Sequence, residues 1–143
     1  MRDADELARA VAEAMWADDP ASQGLGMRLE DIALGRARFS FVVTEAMVNS
    51  HGICHGGFIF ALADSAMAFA ANSHGEHAVA QHCSITYVRP GRLGATLTAE
   101  AVERTRAGRS GIYDVRVSGA DGTVVAEFRG HSRTIGGKYF AED

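Results

Sequence analysis

The sequence predicts an α+β fold in which an antiparallel β-sheet wraps around a long central α-helix, preceded by a short N-terminal helix. Three observations support this prediction: a long segment, 55–72, that is apolar on every side, runs of alternating apolar and polar residues around it, and glycine-containing turns between those runs. A helix that is apolar all round belongs in a protein interior. Strands joined by short turns favour an antiparallel sheet, and that sheet is the natural cover for the helix.

The N-terminal segment 1–20 is typical of an amphipathic helix over 3–17, with Leu7 and Val11 four residues apart on one face. We expect this helix to end before Pro20, because the residue that precedes a proline is disfavoured in the helical conformation.

Six further runs have the pattern of β-strands. In the second run, Phe39, Phe41 and Val43 alternate with polar residues, as expected for a half-buried strand. Asp121-Gly122 favours a hairpin turn. The predicted strands cover 27–33, 36–44, 78–89, 95–106, 110–119 and 122–134. The order is therefore α-β-β-α-β-β-β-β, and we expect one domain over 1–143, whose central helix 55–72 is favoured by its many alanines.

Composition limits the class of partner and the compartment. The net charge is −4, which gives no reason to expect nucleic acid or an anionic membrane. No apolar run reaches the roughly 20 residues that a membrane-spanning helix needs, and the acidic N-terminus does not resemble a signal peptide. Two cysteines, Cys54 and Cys83, are too few for a secreted disulfide framework. We therefore expect a cytoplasmic protein.

Asp64 falls near the middle of the predicted buried helix. An unpaired ionised carboxylate is costly in an interior, and the 50 residues from Phe39 to Val88 contain no lysine or arginine to pair with it. We therefore expect either a raised pKa or a chemical role for Asp64. The structural alternative is a hydrogen bond to Ser65 or to neighbouring backbone.

The sequence His55-Gly56-Gly57 stands at the start of the same helix. The first turn of a helix has unpaired N–H groups and a partly positive dipole end, and glycine lets a ligand approach the backbone closely. Such donors stabilise a carbonyl oxygen that becomes an oxyanion. His55 would support the loop or polarise the carbonyl indirectly. For Gly-Gly alone, a simple tight turn is the alternative.

The spacing of these groups predicts a site shared between subunits. Gly56 and Asp64 are eight residues apart, which is about 12 Å along a helix. A carbonyl bound at Gly56 therefore cannot be reached by Asp64 of the same chain, and two-fold symmetry would create two equivalent shared sites. Asn49 is the natural third member, since its amide could orient the water or the partner's carboxylate. Its alternative role is to cap a turn.

Other chemistries have weaker support. His51, Cys54 and His55 lie close together, but no second cluster completes a zinc site. Neither cysteine lies in a recognisable nucleophile motif, so a small buried residue is the favoured interpretation of each. The nucleophile elbow, the phosphate loop and the dinucleotide-binding glycine pattern are absent from the sequence.

The strongest family resemblance lies in the pattern Asn49-x-His51-Gly-x-x-His55-Gly56-Gly57-x-x-x-x-Leu62-Ala63-Asp64. This pattern resembles the signature of hotdog-fold acyl-CoA thioesterases, in the PaaI-type branch associated with phenylacetic acid degradation. The length, the order of elements and the turn 87–91 are similar as well. The resemblance implies an antiparallel sheet around a central helix, paired subunits and a homotetramer built as a dimer of dimers.

The same resemblance implies roles for the residues above. Asp64 would act as general base or nucleophile, the Gly56 N–H would polarise the thioester carbonyl, Asn49 would assist positioning and His55 would support the loop. Some relatives orient the water with a serine or threonine on the strand after the helix. In this chain that region reads Gln81-His82-Cys83-Ser84, and His82 is the candidate.

Coenzyme A would enter as part of the substrate, and no metal or other cofactor is implied. Its phosphates need cations. The candidate substrate-binding residues are Gly57, His82, Arg89, Arg92, Arg104, Arg106 and Arg109.

The acyl group is less constrained. Phe58, Phe60, Met67 and Phe69 could line an aromatic pocket, although apolar residues on a buried helix are more often core. The resemblance implies phenylacetyl-CoA or its hydroxylated derivatives, with medium-chain acyl-CoA as the alternative. Rival functions are a hotdog dehydratase or hydratase, whose motifs are absent, and a non-catalytic acyl-CoA sensor, which would not need Asp64.

Overall fold

A six-stranded antiparallel sheet packs around one central helix in the computed structural model, which describes residues 1–141. The elements are α1 (Ala4–Ala17), α2 (Pro20–Gly24), β1 (Arg28–Ala33), β2 (Arg36–Val42), α3 (Gly56–Asn72), β3 (Glu76–Tyr87), β4 (Thr96–Ala107), β5 (Ser110–Ser118) and β6 (Val124–Lys138). The strands follow the spatial order β1-β2-β4-β5-β6-β3, so β1 and β3 form the two edges. The predicted α+β architecture is confirmed.

Helix α3 supplies one side of the hydrophobic core and contacts every strand of the sheet. Leu62, Ala63, Ala66 and Met67 have no exposed surface. The sheet comes especially close at Gly130 of β6, where an added Cβ would lie 2.9 Å from the terminal methyl of Met67. The interior therefore holds α3 in a fixed position, and any group on this helix is placed precisely.

One face of α3 is not covered by the sheet. Gly57 is exposed, and Ala61, Asp64 and Ala68 are only partly buried. The neighbouring edge strand β3 is 12 residues long and presents Val79 with 47% of its surface exposed. A long edge strand with exposed apolar residues is typical of a strand that pairs with another chain.

Two short elements were not predicted. Residues 18–20 end α1 as expected, but Pro20 then starts α2, with the Asp19 carboxylate accepting the Ser22 N–H at 3.0 Å. Proline suits the first helical position because its missing N–H would have no partner there. A 3-10 turn also occupies Glu45–Met47. Among the described residues, no helix has the length and hydropathy of a membrane-spanning helix.

Candidate active site

The start of α3 leaves one backbone donor available. His55 is the N-cap, and its Nδ1 accepts the N–H of Gly57 at 2.9 Å. The N–H of Gly56 has no acceptor within residues 1–141. An unpaired donor at the positive end of a helix dipole is suited to bind a carbonyl oxygen and to stabilise negative charge that develops on it.

Tyr87, the last residue of β3, packs directly against Gly56. Its hydroxyl donates to the Gly56 carbonyl oxygen at 2.8 Å, and a Cβ at position 56 would lie 2.8 Å from the Tyr87 Cζ. Any side chain at 56 would therefore push the ring away. Tyr87 was not predicted as a site residue. The only signal was its place at the start of the turn 87–91, which does not indicate a contact with residue 56.

Asn49 lies in the loop before α3 and has a free amide group. Its Oδ1 accepts the backbone N–H groups of His51 at 2.9 Å and of Ile53 at 3.4 Å. This is the turn-capping role that the sequence allowed. The same bonds fix the orientation of the side chain, and its Nδ2 has no acceptor among residues 1–141. Asn49, Gly56 and Tyr87 line one open cleft of about 500 Å³.

Asp64 is partly buried on α3 and has no hydrogen bond or ion pair within the described residues. The alternative that the sequence allowed, a bond to Ser65, is not formed, since the Ser65 hydroxyl instead lies 2.8 Å from that of Ser22. Burial raises the pKa of the Asp64 carboxyl. Burial and, after it, the charge of Asp64 raise the pKa of the Cys83 thiol. Cys83 of β3 is therefore close enough to interact with this carboxylate.

Gly56 and Asp64 lie on one uninterrupted helix. Eight residues of helix separate them by about 12 Å along the axis, and Asp64 is not among the residues that line the cleft at Gly56. One chain therefore places the donor and the carboxylate too far apart to act on the same carbonyl.

His82 lies on the face of β3 that points away from α3. Successive side chains of a strand alternate between faces, and Cys83 faces the helix while pairing with Gly130. His82 instead pairs with His131, and the two imidazole rings are 5.5 Å apart. The structure therefore does not bring His82 together with Asp64 of the same chain.

Two of the candidate arginines lie near the cleft. Arg89 lines it and donates from Nη1 to the Val124 carbonyl oxygen at 3.0 Å. Arg92 lines a neighbouring depression of about 450 Å³ together with Arg89, and its guanidinium has no partner among residues 1–141. This end of the sheet therefore places two arginines, together with the carboxylate of Asp121, beside the unpaired donor of Gly56.

The other three candidate arginines are elsewhere in the chain. Arg104 binds Asp114 at 2.9 Å. Arg106 lies 3.6 Å from Glu76, the first residue of β3, and Arg109 lies in the β4–β5 turn. That turn is near the beginning of β3, whereas Arg89 follows its end, and a strand of this length spans about 36 Å. A single chain does not gather the five arginines into one cluster.

The four apolar residues of α3 that could line an acyl pocket differ in burial. Met67 is fully buried, and Phe69 is 2% exposed with its ring against Phe39 at 4.7 Å. These two belong to the core. Phe58 and Phe60 are partly exposed, so of these four side chains only these two can contact a ligand.

The cysteines and histidines do not form a metal centre in the part of the chain that is described, where no group of three His, Cys, Asp or Glu side chains could hold an ion. Cys54 is buried beside the cleft, and burial raises its pKa as it does that of Cys83. A raised pKa keeps a thiol protonated and a poor nucleophile.

The chain is similar to known proteins of the thioesterase superfamily. The profile described as the thioesterase superfamily matches residues 51–126. Over 131 residues the chain is 42% identical to the acyl-coenzyme A thioesterase PaaI of Escherichia coli, covering 92% of this chain and 94% of that protein. The structure of the E. coli PaaI protein from the phenylacetic acid degradation operon has a TM-score of 0.93 and 40% identity, covering 95% and 99% of the two chains.

Two further solved structures are similar. A mutant form of the phenylacetic acid degradation protein PaaI from Thermus thermophilus has a TM-score of 0.79 and 39% identity, with 82% of this chain and 100% of that chain covered. A Streptococcus mutans protein bound to acetyl-CoA has a TM-score of 0.76 and 26% identity, with 78% and 90% covered. These similarities confirm the hotdog fold.

Proposed function

The chain belongs to the thioesterase superfamily, and we propose that it hydrolyses the thioester of an aryl-acetyl-CoA, such as phenylacetyl-CoA or a hydroxyphenylacetyl-CoA, to the free acid and coenzyme A. The 42% identical relative is an acyl-CoA thioesterase, and two similar structures are of proteins of phenylacetic acid degradation. The acetyl-CoA complex of a more distant relative supports a coenzyme A ester as the ligand class. The expectation of a single catalytic domain over 1–143 is part of this proposal.

One observation carries the catalytic assignment. Helix α3 presents two unpaired groups of complementary use: the N–H of Gly56 and the partly buried carboxylate of Asp64. The first is a donor for a carbonyl oxygen, and the second is a base or nucleophile. A partly buried acid without a partner lowers stability, so its presence is best explained by chemistry.

The proposed active site combines Gly56 of one subunit with Asp64 of its partner. The uncovered face of α3 and the exposed edge of β3 lie on the same side of the chain, because Cys83 of β3 interacts with Asp64. A second copy placed there by two-fold symmetry would cover both. We propose that such dimers pair into a tetramer.

The reaction then follows from the geometry. The thioester carbonyl oxygen accepts a hydrogen bond from the Gly56 N–H, and Asp64 of the partner subunit removes a proton from water as the water oxygen attacks the carbonyl carbon. The C–S bond breaks as the tetrahedral intermediate collapses, and the coenzyme A thiolate takes the proton. Direct attack by the carboxylate, followed by hydrolysis of the anhydride, reaches the same products. The free amide of Asn49 is available to orient the water or the carboxylate.

Coenzyme A would lie along the end of the sheet that carries Arg89 and Arg92. Arg89 and Arg92 flank the cleft at Gly56, and arginine binds phosphate through two parallel N–H donors. No metal or other cofactor enters the proposal.

The test is thiol release from acyl-CoA esters by wild type and Asp64→Asn. The panel is phenylacetyl, hydroxyphenylacetyl, benzoyl, hexanoyl and palmitoyl esters. Asparagine preserves the shape of the side chain and removes its charge, so kcat should fall by about 10² or more, as expected for loss of a general base. The matched control is Asp114→Asn, because Asp114 lies on the outer face of the sheet and binds Arg104 and Arg129.

Each outcome has a distinct meaning. Turnover that disappears in Asp64→Asn and persists in Asp114→Asn supports the thioesterase, and the preferred ester identifies the acyl group. Tight binding of the esters by wild type without thiol release would contradict the thioesterase proposal and support a non-catalytic acyl-CoA sensor.

A further inference from the structure

Phe60 lies midway between the two groups of the proposed site. It follows Gly56 by four residues and precedes Asp64 by four on α3. Each interval is about one helical turn, or 6 Å along the axis. Residues four apart share a helix face, so Gly56, Phe60 and Asp64 form one stripe.

The ring of Phe60 is held in a defined orientation. Its centroid lies 5.3 Å from that of Phe128 on β6, with the ring planes at 71°. Phe128 is 3% exposed and pairs with Ile85 of β3, so it provides a fixed support. Phe60 itself remains partly exposed. An oriented aromatic surface therefore borders the uncovered face of α3.

In the proposed shared site, this position would adjoin the acyl group. In a shared site, one helix contributes Gly56 and the other contributes Asp64. Each helix then carries its own Phe60 one turn away from the group that it contributes. A substituent on the thioester carbonyl carbon that extended along either helix would therefore meet a Phe60 ring.

We infer that Phe60 determines specificity by contacting the aromatic ring of the acyl group, an inference that rests on the proposed function. Ring pairs in edge-to-face or offset geometry are more stable than their apolar area alone explains. A flexible alkyl chain in the same place gains only from the burial of area. The ring of Phe60 thus favours aryl-acetyl esters over medium-chain esters without taking part in the chemical step.

The test compares kcat/KM for phenylacetyl-CoA and hexanoyl-CoA in wild type and Phe60→Leu. Leucine keeps an apolar side chain and removes the ring, so the phenylacetyl-to-hexanoyl ratio should fall roughly three- to tenfold. Phe60→Tyr keeps the ring and should preserve the ratio. Phe60→Met provides a second ring-free variant if leucine packs poorly.

Phe140→Leu is the matched control. Phe140 lies after β6 with its ring 4.4 Å from the Arg2 guanidinium, next to Tyr139, whose N–H donates to Gly75 beyond the other end of α3. The ratio should be unchanged in this variant. Melting temperature and solution mass are measured for all variants, because a role in packing against the partner subunit would change them.

Two results would overturn the inference. One is an equal loss for both esters in the ring-free variants, and the other is a loss that follows a change in solution mass. Either result leaves the thioesterase proposal intact, whereas absence of thiol release by wild type from every ester would refute the proposed function itself.

Discussion

Mixing two inactive variants should restore turnover if the active site is shared between subunits. Asp64→Asn removes the proposed base. Gly56→Val blocks the proposed donor, because even a single Cβ at that position would lie 2.8 Å from the Tyr87 ring. If each site were built within one chain, no site of a mixed dimer would be intact, because each chain carries one of the two substitutions. In a shared arrangement about half of the randomly formed dimers are mixed and each has one intact site of two, so the mixture should show about one quarter of wild-type turnover.

The assay is thiol release from phenylacetyl-CoA after the two variants have been unfolded and refolded together. Mass spectrometry of intact complexes counts the mixed dimers. Each variant refolded alone is the control and should retain about 1% of wild-type turnover or less, as expected for loss of a base or of an oxyanion donor. Mixed dimers that form without any recovery of turnover would refute the shared site.

The remaining predictions concern the charge of Asp64 and the hydrogen bonds of Asn72. Burial raises the pKa of Asp64 and the base acts when ionised, so kcat/KM should fall on the acid side with a midpoint above the ordinary aspartate value of about 3.9; a pH profile with a midpoint at or below that value would contradict the assignment. Asn72 is 3% exposed and bonds both the N–H and the C=O of Ala78. Asn72→Ala leaves both groups unpaired and should lower the free energy of unfolding by about 2–4 kcal/mol, measured in urea; a change below about 1 kcal/mol would show that water replaces these bonds.

The order of the main elements was predictable because periodicity reports directly on burial. The apolar segment 55–72 is too long for one ordinary strand, and its many alanines favour an interior helix; α3 starts at Gly56, one residue later. Strand limits moved by a few residues: the last strand was predicted over 122–134 and extends to Lys138. Helix α2 was not predicted, because a proline at this position indicates the end of the preceding helix. In the structure Pro20 is also the first residue of α2.

For the candidate site, the sequence predicts relations between residues that are close along the chain. Gly56 and Asp64 lie on one helix, so the distance between them follows from the sequence, whereas the groups that surround each of them do not. Contacts between distant segments were not accessible: nothing in the sequence indicates that Tyr87 donates to the carbonyl of Gly56. The choice between neighbouring residues of β3 also depended on which face each occupies: Cys83 packs against the core, whereas His82 is exposed on the opposite face.

The proposed catalytic groups would tie activity to assembly through a single surface. Gly57, Ala61 and Ala68 leave room for a close approach to α3, and Asp64 lies among them. A second subunit that covered this face would bury the carboxylate further, which raises its pKa and strengthens it as a base. The same contact would carry that carboxylate to the Gly56 donor of the other chain. Each chain buries its own hydrophobic core around α3, but the proposed dimer is needed to bring the Gly56 donor of one chain to the Asp64 carboxylate of the other.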